Sequence, residues 1–336
     1  MKAAGVLVSG FFAIITFGQE ASWQEHMRAA AALRQEGRYR EALGQMEGAL
    51  GATRAFGRDD ERQAITRDAL AGAYDALGQL WHAEMYQREA VMAAERILGP
   101  ENPRLAVPLN NLSHIYREEG KFGPAWNLGR RALALLDCEP PPARSSLAAI
   151  LGNLGMIAYS QGKLEEAETL LRRAVETASQ LTPTEPSLHA ETLNNLALVY
   201  ERNGKQAVAL SLLQSANSLF ERAFGPEDPR SSQTLVNIAS IQSQVGETRN
   251  AIETLQRAIA AAEKGLGPNH PLVGEAAARQ ARLLRKLGRK PEAAILDARA
   301  RAIARETAAN NLSRFTVDAH EGQITPRRSD GLKSKP

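Results

Sequence analysis

The chain has 336 residues, of which 43% are hydrophobic and only 5% aromatic, and it carries a net charge of +3 at pH 7. This composition suits a helical protein built on small and aliphatic side chains, and the nearly balanced charge gives no whole-protein case for nucleic-acid binding. The single cysteine, Cys138, excludes an internal disulfide and a cysteine-based zinc cluster.

The N-terminal segment differs from the rest of the chain. Lys2 precedes an apolar run from Ala3 to Phe17, and Thr16-Phe17-Gly18 provides small residues where a signal peptidase would cut. The run is about fifteen residues long, whereas a membrane span needs roughly 20. We therefore expect residues 1–18 to be a cleaved signal peptide and the protein to be exported, either to a periplasm or to the outside. The alternative is an uncleaved membrane anchor.

A repeat of fixed period fills residues 22–306. Its first marker is a glycine that recurs after 41 residues once and then after 42 residues, at Gly37, Gly78, Gly120, Gly162, Gly204, Gly246 and Gly288. An alanine follows five residues after each glycine, at Ala42, Ala83, Ala125, Ala167, Ala209, Ala251 and Ala293. Another follows after twelve residues, at Ala49, Ala90, Ala132, Ala174, Ala216, Ala258 and Ala300. Self-similarity of this kind predicts a solenoid of seven stacked repeats.

Each repeat is predicted to be a pair of amphipathic helices that meet at the marker glycine. In the central repeat, the spacing of apolar residues indicates one helix before Gly162, with the stripe Leu147, Ile150, Leu151, Leu154 and Ala158. A second stripe follows the glycine, at Leu164, Ala167, Leu171, Ala174 and Val175. The glycine fits a left-handed helix C-cap, and the alanines allow the paired helices to approach closely. In the second repeat the first stripe is thin, with Ile65, Ala69 and Gly72.

Three of the joins between repeats share a motif. They read Gly99-Pro-Glu-Asn-Pro103, Gly225-Pro-Glu-Asp-Pro229 and Gly267-Pro-Asn-His-Pro271, each starting 21 residues after a marker glycine. Proline cannot continue a helix interior, but it suits the first turn of the next helix. The motif therefore predicts where one repeat ends and the next begins.

The arrangement Leu154-Gly155, Tyr159, Gly162, Ala167 and Ala174 resembles the tetratricopeptide repeat. The 42-residue period, the Asn-Asn-Leu-Ala run at Asn194–Ala197 and the joins look like its kinesin-light-chain-type variety. The resemblance covers about residues 23–306. It implies an all-α fold, a right-handed α-solenoid of about seven helix-turn-helix repeats, and a role in binding other proteins or peptides.

In that family the first helix of each repeat lines a concave groove. The position nine residues before each marker glycine reads Arg28, Ala69, Asn111, Asn153, Asn195, Asn237 and Arg279. An amide side chain both donates and accepts hydrogen bonds, so the four asparagines could grip the backbone of an extended peptide. His114 and Arg202 stand beside them, in a mostly polar lining that also contains Glu118, Met156, Ser160, Glu191, Leu198, Ser240 and Gln244. The alternative is that the asparagines form bonds between neighbouring helices and tie adjacent repeats together.

The last repeat is basic, with Arg279, Arg282 and Arg285 on one helix. A polar cap that solvates the end of the array is the favoured interpretation, because terminal repeats need one. Contact with an acidic ligand or an anionic surface is the alternative.

The chain shows no motif for catalysis, metal binding or cofactor binding. Its six histidines are dispersed, without an HExxH pair, and neither a Gly-x-Ser-x-Gly elbow nor a phosphate-binding glycine loop is present. We expect a non-catalytic scaffold for a protein or an extended peptide, without nucleic acid, metal or cofactor, and with membrane contact only if residues 1–18 stay uncleaved. A regulatory or substrate-recruiting partner of a separate peptidase or signalling enzyme and a structural assembly protein are the alternatives. Residues 307–336 are expected to be a largely disordered tail, in which Asn310–Val317 could dock.

Overall fold

The computed structural model describes residues 4–136 and 144–312, with side chains described for 18–136 and 144–308. These stretches contain fourteen α-helices and no strand. The helices are α1 (Ala4–Gln35), α2 (Tyr39–Thr53), α3 (Glu61–Ala76), α4 (Leu80–Leu98), α5 (Ala106–Glu118), α6 (Phe122–Leu136), α7 (Arg144–Ser160), α8 (Leu164–Ser179), α9 (Pro186–Arg202), α10 (Gln206–Phe224), α11 (Ser232–Gln244), α12 (Thr248–Leu266), α13 (Pro271–Lys286) and α14 (Lys290–Leu312). Short 3₁₀ turns at Pro103–Leu105 and Pro229–Ser231 precede α5 and α11.

Consecutive helices pair into seven hairpins, from α1–α2 to α13–α14, and each hairpin turns at a marker glycine. At Gly162 the backbone has φ 78°, and the six other marker glycines also have positive φ. This left-handed region is open to glycine and costly for other residues, which explains why the marker recurs. The predicted all-α repeat solenoid is confirmed.

The recurring alanines lie where the two helices of a hairpin touch. All seven alanines of the first set are no more than 1% exposed. In the second set the alanines from Ala49 to Ala258 are buried as well, whereas Ala300 is partly exposed. Ala300 lies on α14, the last described helix, which has no following repeat to cover it.

The predicted stripes of the central repeat form its core. Ile150, Leu151 and Leu154 on α7 are at most 1% exposed, and Leu171 on α8 is fully buried. The interpretation of the second repeat was wrong in register, because Ile65 is 43% exposed.

The core stripe of α3 is instead formed by Thr66, Leu70, Ala73 and Tyr74. Thr66 can be buried because its hydroxyl donates to the Arg62 carbonyl at 2.7 Å and accepts from Trp23 Nε1 at 2.8 Å. A polar position thus belongs to the core, and a count of apolar residues overlooks it.

Helix α1 runs without a break from Ala4 to Gln35, so part of the predicted signal segment and the first helix of the solenoid share one helix. None of the helices that the structure describes has both the length and the apolar character required to cross a membrane. At the other end, α14 continues past residue 306 to Leu312. Cys138 and the predicted tail from residue 313 onward lie outside the described residues.

The superhelix closes on itself. The turn of the first repeat, at Gly37, packs against Pro229 in the join between the fifth and sixth repeats. The turn of the second repeat, at Gly78, packs in the same way against Pro271 in the next join. Arg230 Nη2 also donates to the Gln35 carbonyl at 2.7 Å. These contacts join residues nearly 200 positions apart, and they enclose the face that the first helices of the repeats present.

Candidate functional site

A cavity of about 620 Å³ lies inside the closed superhelix. Its wall comes mainly from the first helices of the repeats, α3, α5, α7, α9 and α11, with Arg34 from α1 and Gln87 from α4. Clefts of about 300–1,000 Å³ are the usual size of ligand sites in proteins. The mixture of amides, charged groups and small side chains suits a polar ligand better than an apolar one.

Three of the four predicted asparagines line this cavity, namely Asn111, Asn153 and Asn195. Asn237, which is not among the lining residues, is 7% exposed and donates through Nδ2 to Asn194 Oδ1 of the preceding repeat at 3.0 Å. Asn111 Nδ2 donates in the same way to Asp68 Oδ1 at 3.1 Å. These bonds are the inter-repeat ties that the alternative interpretation describes.

Asn153 both lines the cavity and bonds to the preceding repeat. Its Nδ2 donates to Ser113 Oγ at 3.0 Å and to Asn110 Oδ1 at 3.2 Å, both in the preceding repeat. Its Oδ1 accepts from Arg117 Nε at 3.3 Å. The side chain is therefore held in place while it lines the cavity.

Asn195 differs from its three counterparts. It lines the cavity and is only partly buried, and among the described residues its side chain has no hydrogen-bond partner. Both its donor and its acceptor capacity remain available to a ligand.

The structure separates His114 from Arg202. His114 lines the cavity, with Nε2 3.2 Å from Asp75 Oδ2 and Nδ1 3.1 Å from Arg117 Nη2. Arg202 lies outside the cavity lining and is exposed. Its Nη1 donates to the Tyr159 carbonyl at 3.1 Å, and its guanidinium lies over the Tyr159 ring at 5.1 Å from the centroid.

The basic residues of the last repeat also lie apart from the cavity. Arg279 Nη2 forms an ion pair with Glu275 at 2.9 Å, and Arg285 pairs with Asp297. Arg282 is exposed on the same helix, α13. Pairing within the repeat neutralises part of the positive charge of this end.

Glu191 and Arg230 are among the charged residues of the cavity to which sequence reasoning gave no specific role. Glu191 is exposed to the cavity space, and desolvation by the surrounding protein raises the pKa of its carboxyl group, against the lowering effects of His114 and Arg230. Arg230 follows the join and donates to both carboxylate oxygens of Asp228, at 2.7 and 2.8 Å. Its sequence signal is the Asp-Pro-Arg order, but that order does not reveal that Arg230 faces a cavity.

The arrangement offers hydrogen bonds and charge to a ligand. Within the part of the chain that the structure describes, no group of three His, Cys, Asp or Glu residues could hold a metal ion.

Family models confirm the repeat. A tetratricopeptide-repeat model matches residues 146–222, 188–264 and 230–306, and a second model of the same description matches residues 64–104. Together these segments cover more than half of the chain. The chain belongs to the tetratricopeptide-repeat family. The predicted family is thus correct, and TPR proteins of this kind are generally non-catalytic scaffolds. No curated protein matches this TPR chain in sequence.

Solved structures show the same fold. A Rap protein complexed with Competence and Sporulation Factor is 14% identical with a TM-score of 0.64, over 86% of this TPR chain and 76% of the Rap chain. BtubC (BKLC) from P. vanneervenii is 17% identical with a TM-score of 0.52, over 82% of this chain and 98% of its own. At these identities the likeness concerns the fold alone.

Proposed function

We propose that this TPR protein is a non-catalytic scaffold that binds a short, extended peptide in its inner cavity. The observation that carries the proposal is Asn195, an amide that lines the cavity and has no hydrogen-bond partner among the described residues. An asparagine amide can accept from a peptide N–H and donate to a peptide carbonyl at once, so it recognises backbone rather than a particular side chain.

The other asparagines support this role indirectly. Asn111 and Asn153 are fixed by bonds to the preceding repeat, so the wall around Asn195 is rigid before a ligand arrives. A preformed wall reduces the ordering cost of binding. The Rap protein of similar fold was solved with a bound factor, which is compatible with ligand binding by a superhelix of this shape.

The test compares Asn195→Ala with Asn237→Ala, using short random peptides retained by the wild-type protein as probes. We expect Asn195→Ala to weaken peptide binding by about two- to tenfold, the value of one neutral hydrogen bond, with an unchanged melting temperature. Asn237→Ala should instead lower the melting temperature, because it leaves the buried Asn194 without its partner. Unchanged peptide binding in Asn195→Ala, or no peptide retained by the wild type, would contradict the proposal.

We also propose that residues 1–18 direct export and are then removed. The short apolar run and the small residues before Glu20 support this proposal. N-terminal sequencing of protein recovered from the exported fraction should give a start at Gln19. A start at Met1 in a cytosolic fraction would contradict it.

A further inference from the structure

Glu191 is an acidic group of the cavity whose carboxylate has no bonded partner among the described residues. It lies on α9, four residues before Asn195, so both side chains lie on one face of the helix and both line the cavity. Among the described residues, no hydrogen bond or ion pair involves its carboxylate.

The charges near Glu191 are already engaged elsewhere. His114 and Arg230 are the groups that lower the pKa of its carboxyl group. His114 is held between Asp75 and Arg117, at 3.2 and 3.1 Å. Arg230 binds Asp228 and the Gln35 carbonyl, so both groups near Glu191 already have other bonded partners.

The remaining carboxylates of the lining are satisfied. Asp68 Oδ1 accepts from Gln87 Nε2 at 2.7 Å and from Asn111 Nδ2 at 3.1 Å, and Asp75 pairs with His114. Glu191 therefore differs from Asp68 and Asp75, the other acids of the cavity lining, in having no bonded partner at either oxygen among the described residues. Desolvation already raises the pKa of its carboxyl group, and a cation beside it would relieve that cost.

We propose that Glu191 selects peptides that place a cationic group, an ammonium or a guanidinium, beside the backbone contacts made by Asn195. This inference rests on the proposed peptide-binding function and names the chemistry of the ligand. Charge-assisted hydrogen bonds to a carboxylate are roughly twice as strong as neutral ones. Arg34, at the α1 side of the same cavity, offers a cation that could meet a peptide carboxylate.

The probe is a pair of random short-peptide libraries, one with free N-termini and one with acetylated N-termini. The wild-type protein should retain peptides enriched in lysine or arginine from both libraries if the cation is a side chain. Retention confined to the free-amine library would assign the cation to the N-terminus instead. Both results support the proposal.

Glu191→Gln is the decisive variant, because it keeps the shape and one acceptor oxygen but removes the charge. We expect it to bind the enriched peptides at least about tenfold more weakly, with an unchanged or raised melting temperature, since it removes a desolvated charge. Glu176→Gln, at an exposed carboxylate on α8 outside the cavity, is the matched control and should bind as the wild type does.

The two proposals fail in different ways. If the wild type retains no peptide from either library, the peptide-binding function is wrong. If it retains acetylated peptides that show no enrichment in lysine or arginine, or if Glu191→Gln binds the retained peptides equally well, the function stands and the role of Glu191 is wrong.

Discussion

Two joins of almost identical sequence play different parts in this solenoid. In the join at residues 99–105, Asn102 Oδ1 accepts from the Arg104 backbone N–H at 2.9 Å. In the join at residues 225–231, Asp228 Oδ1 accepts from the Arg230 backbone N–H at 3.0 Å. Both side chains cap the same short 3₁₀ turn, with a proline at its start. The local structure is the same in the two places.

The difference lies in what the following arginine reaches. Arg104 is 60% exposed and pairs with Glu61 on the surface. Arg230 is only 16% exposed, lies over the Phe224 ring at 3.4 Å from the centroid and donates to the carbonyl at the end of α1. One motif thus serves as a simple turn early in the chain and as part of the closing contact later, because only the later joins meet the first two repeats.

The largest difference between the two joins is expected from removing their arginines. Arg230→Ala should destabilise the protein by about 3 kcal/mol, because it leaves the buried Asp228 carboxylate without its cation. Arg104→Ala removes an exposed pair and should cost no more than about 1 kcal/mol. Urea unfolding of both variants measures the difference, and equal losses would show that the Arg230 contacts do not hold the superhelix closed.

A smaller effect is expected at Gly265, in the last turn of α12. A Cβ at this position would lie 2.4 Å from Pro229 Cγ and 2.6 Å from the Gly37 carbonyl oxygen, so Gly265→Ala should cost about 2 kcal/mol. Gly44→Ala, in α2, meets nothing within 4 Å and should stabilise by up to about 1 kcal/mol, since alanine favours helix. Melting temperatures that shift in the same direction would contradict the close approach at Gly265.

The smallest effect at neutral pH is expected at His270, in the join that meets the second repeat. Its Nε2 donates to the Ala76 carbonyl at 3.0 Å, and its Nδ1 accepts from the Leu272 backbone N–H at 3.2 Å. His270→Asn introduces the residue found at the corresponding position 102, which keeps the cap but gives up the bond to Ala76. The expected cost at pH 7 is about 1 kcal/mol.

The same variant should change the response to acid. Burial lowers the pKa of His270 from 6.5 to about 4; the bond to Ala76 opposes this shift and Arg40 adds to it. The unfolded chain therefore takes up a proton near pH 6.5 that the folded chain does not bind until about pH 4, so stability is lost as the pH falls through this window. Unfolding curves at several pH values should show a weaker loss in His270→Asn. A parallel loss in both proteins would contradict the buried, neutral state of His270.

The hairpins could be predicted from sequence because their causes are local. Gly162 needs a left-handed backbone and Ala167 a close helix contact, and both constraints recur in every repeat. The closing contacts could not be predicted, because Gln35 and Arg230 are 195 positions apart and the join sequence is nearly the same where no such contact forms.

The groove that the first helices line was predictable in place, but its closure into a cavity and its hydrogen bonds were not. The position of the asparagines follows from the repeat, whereas their partners depend on residues of the preceding repeat. Asp68 and Asn194 engage two of the amides, and nothing among the described residues engages Asn195. In the sequence, Glu191 is one of several polar residues of the groove lining. Only the structure distinguishes it, because it shows that the neighbouring side chains are already bonded to other groups.

Closure of the superhelix is the central claim, since it turns an open groove into a cavity. Spin labels on cysteines at the exposed positions Glu36 and Glu227, with Cys138 replaced by serine, report it directly through the distance between them. Because Gly37 contacts Pro229, chain geometry limits the separation, and we predict a narrow distribution below about 25 Å. An open superhelix would place eight or so helices, each about 10 Å from the next, between the labels, and a broad distribution beyond about 40 Å would contradict closure.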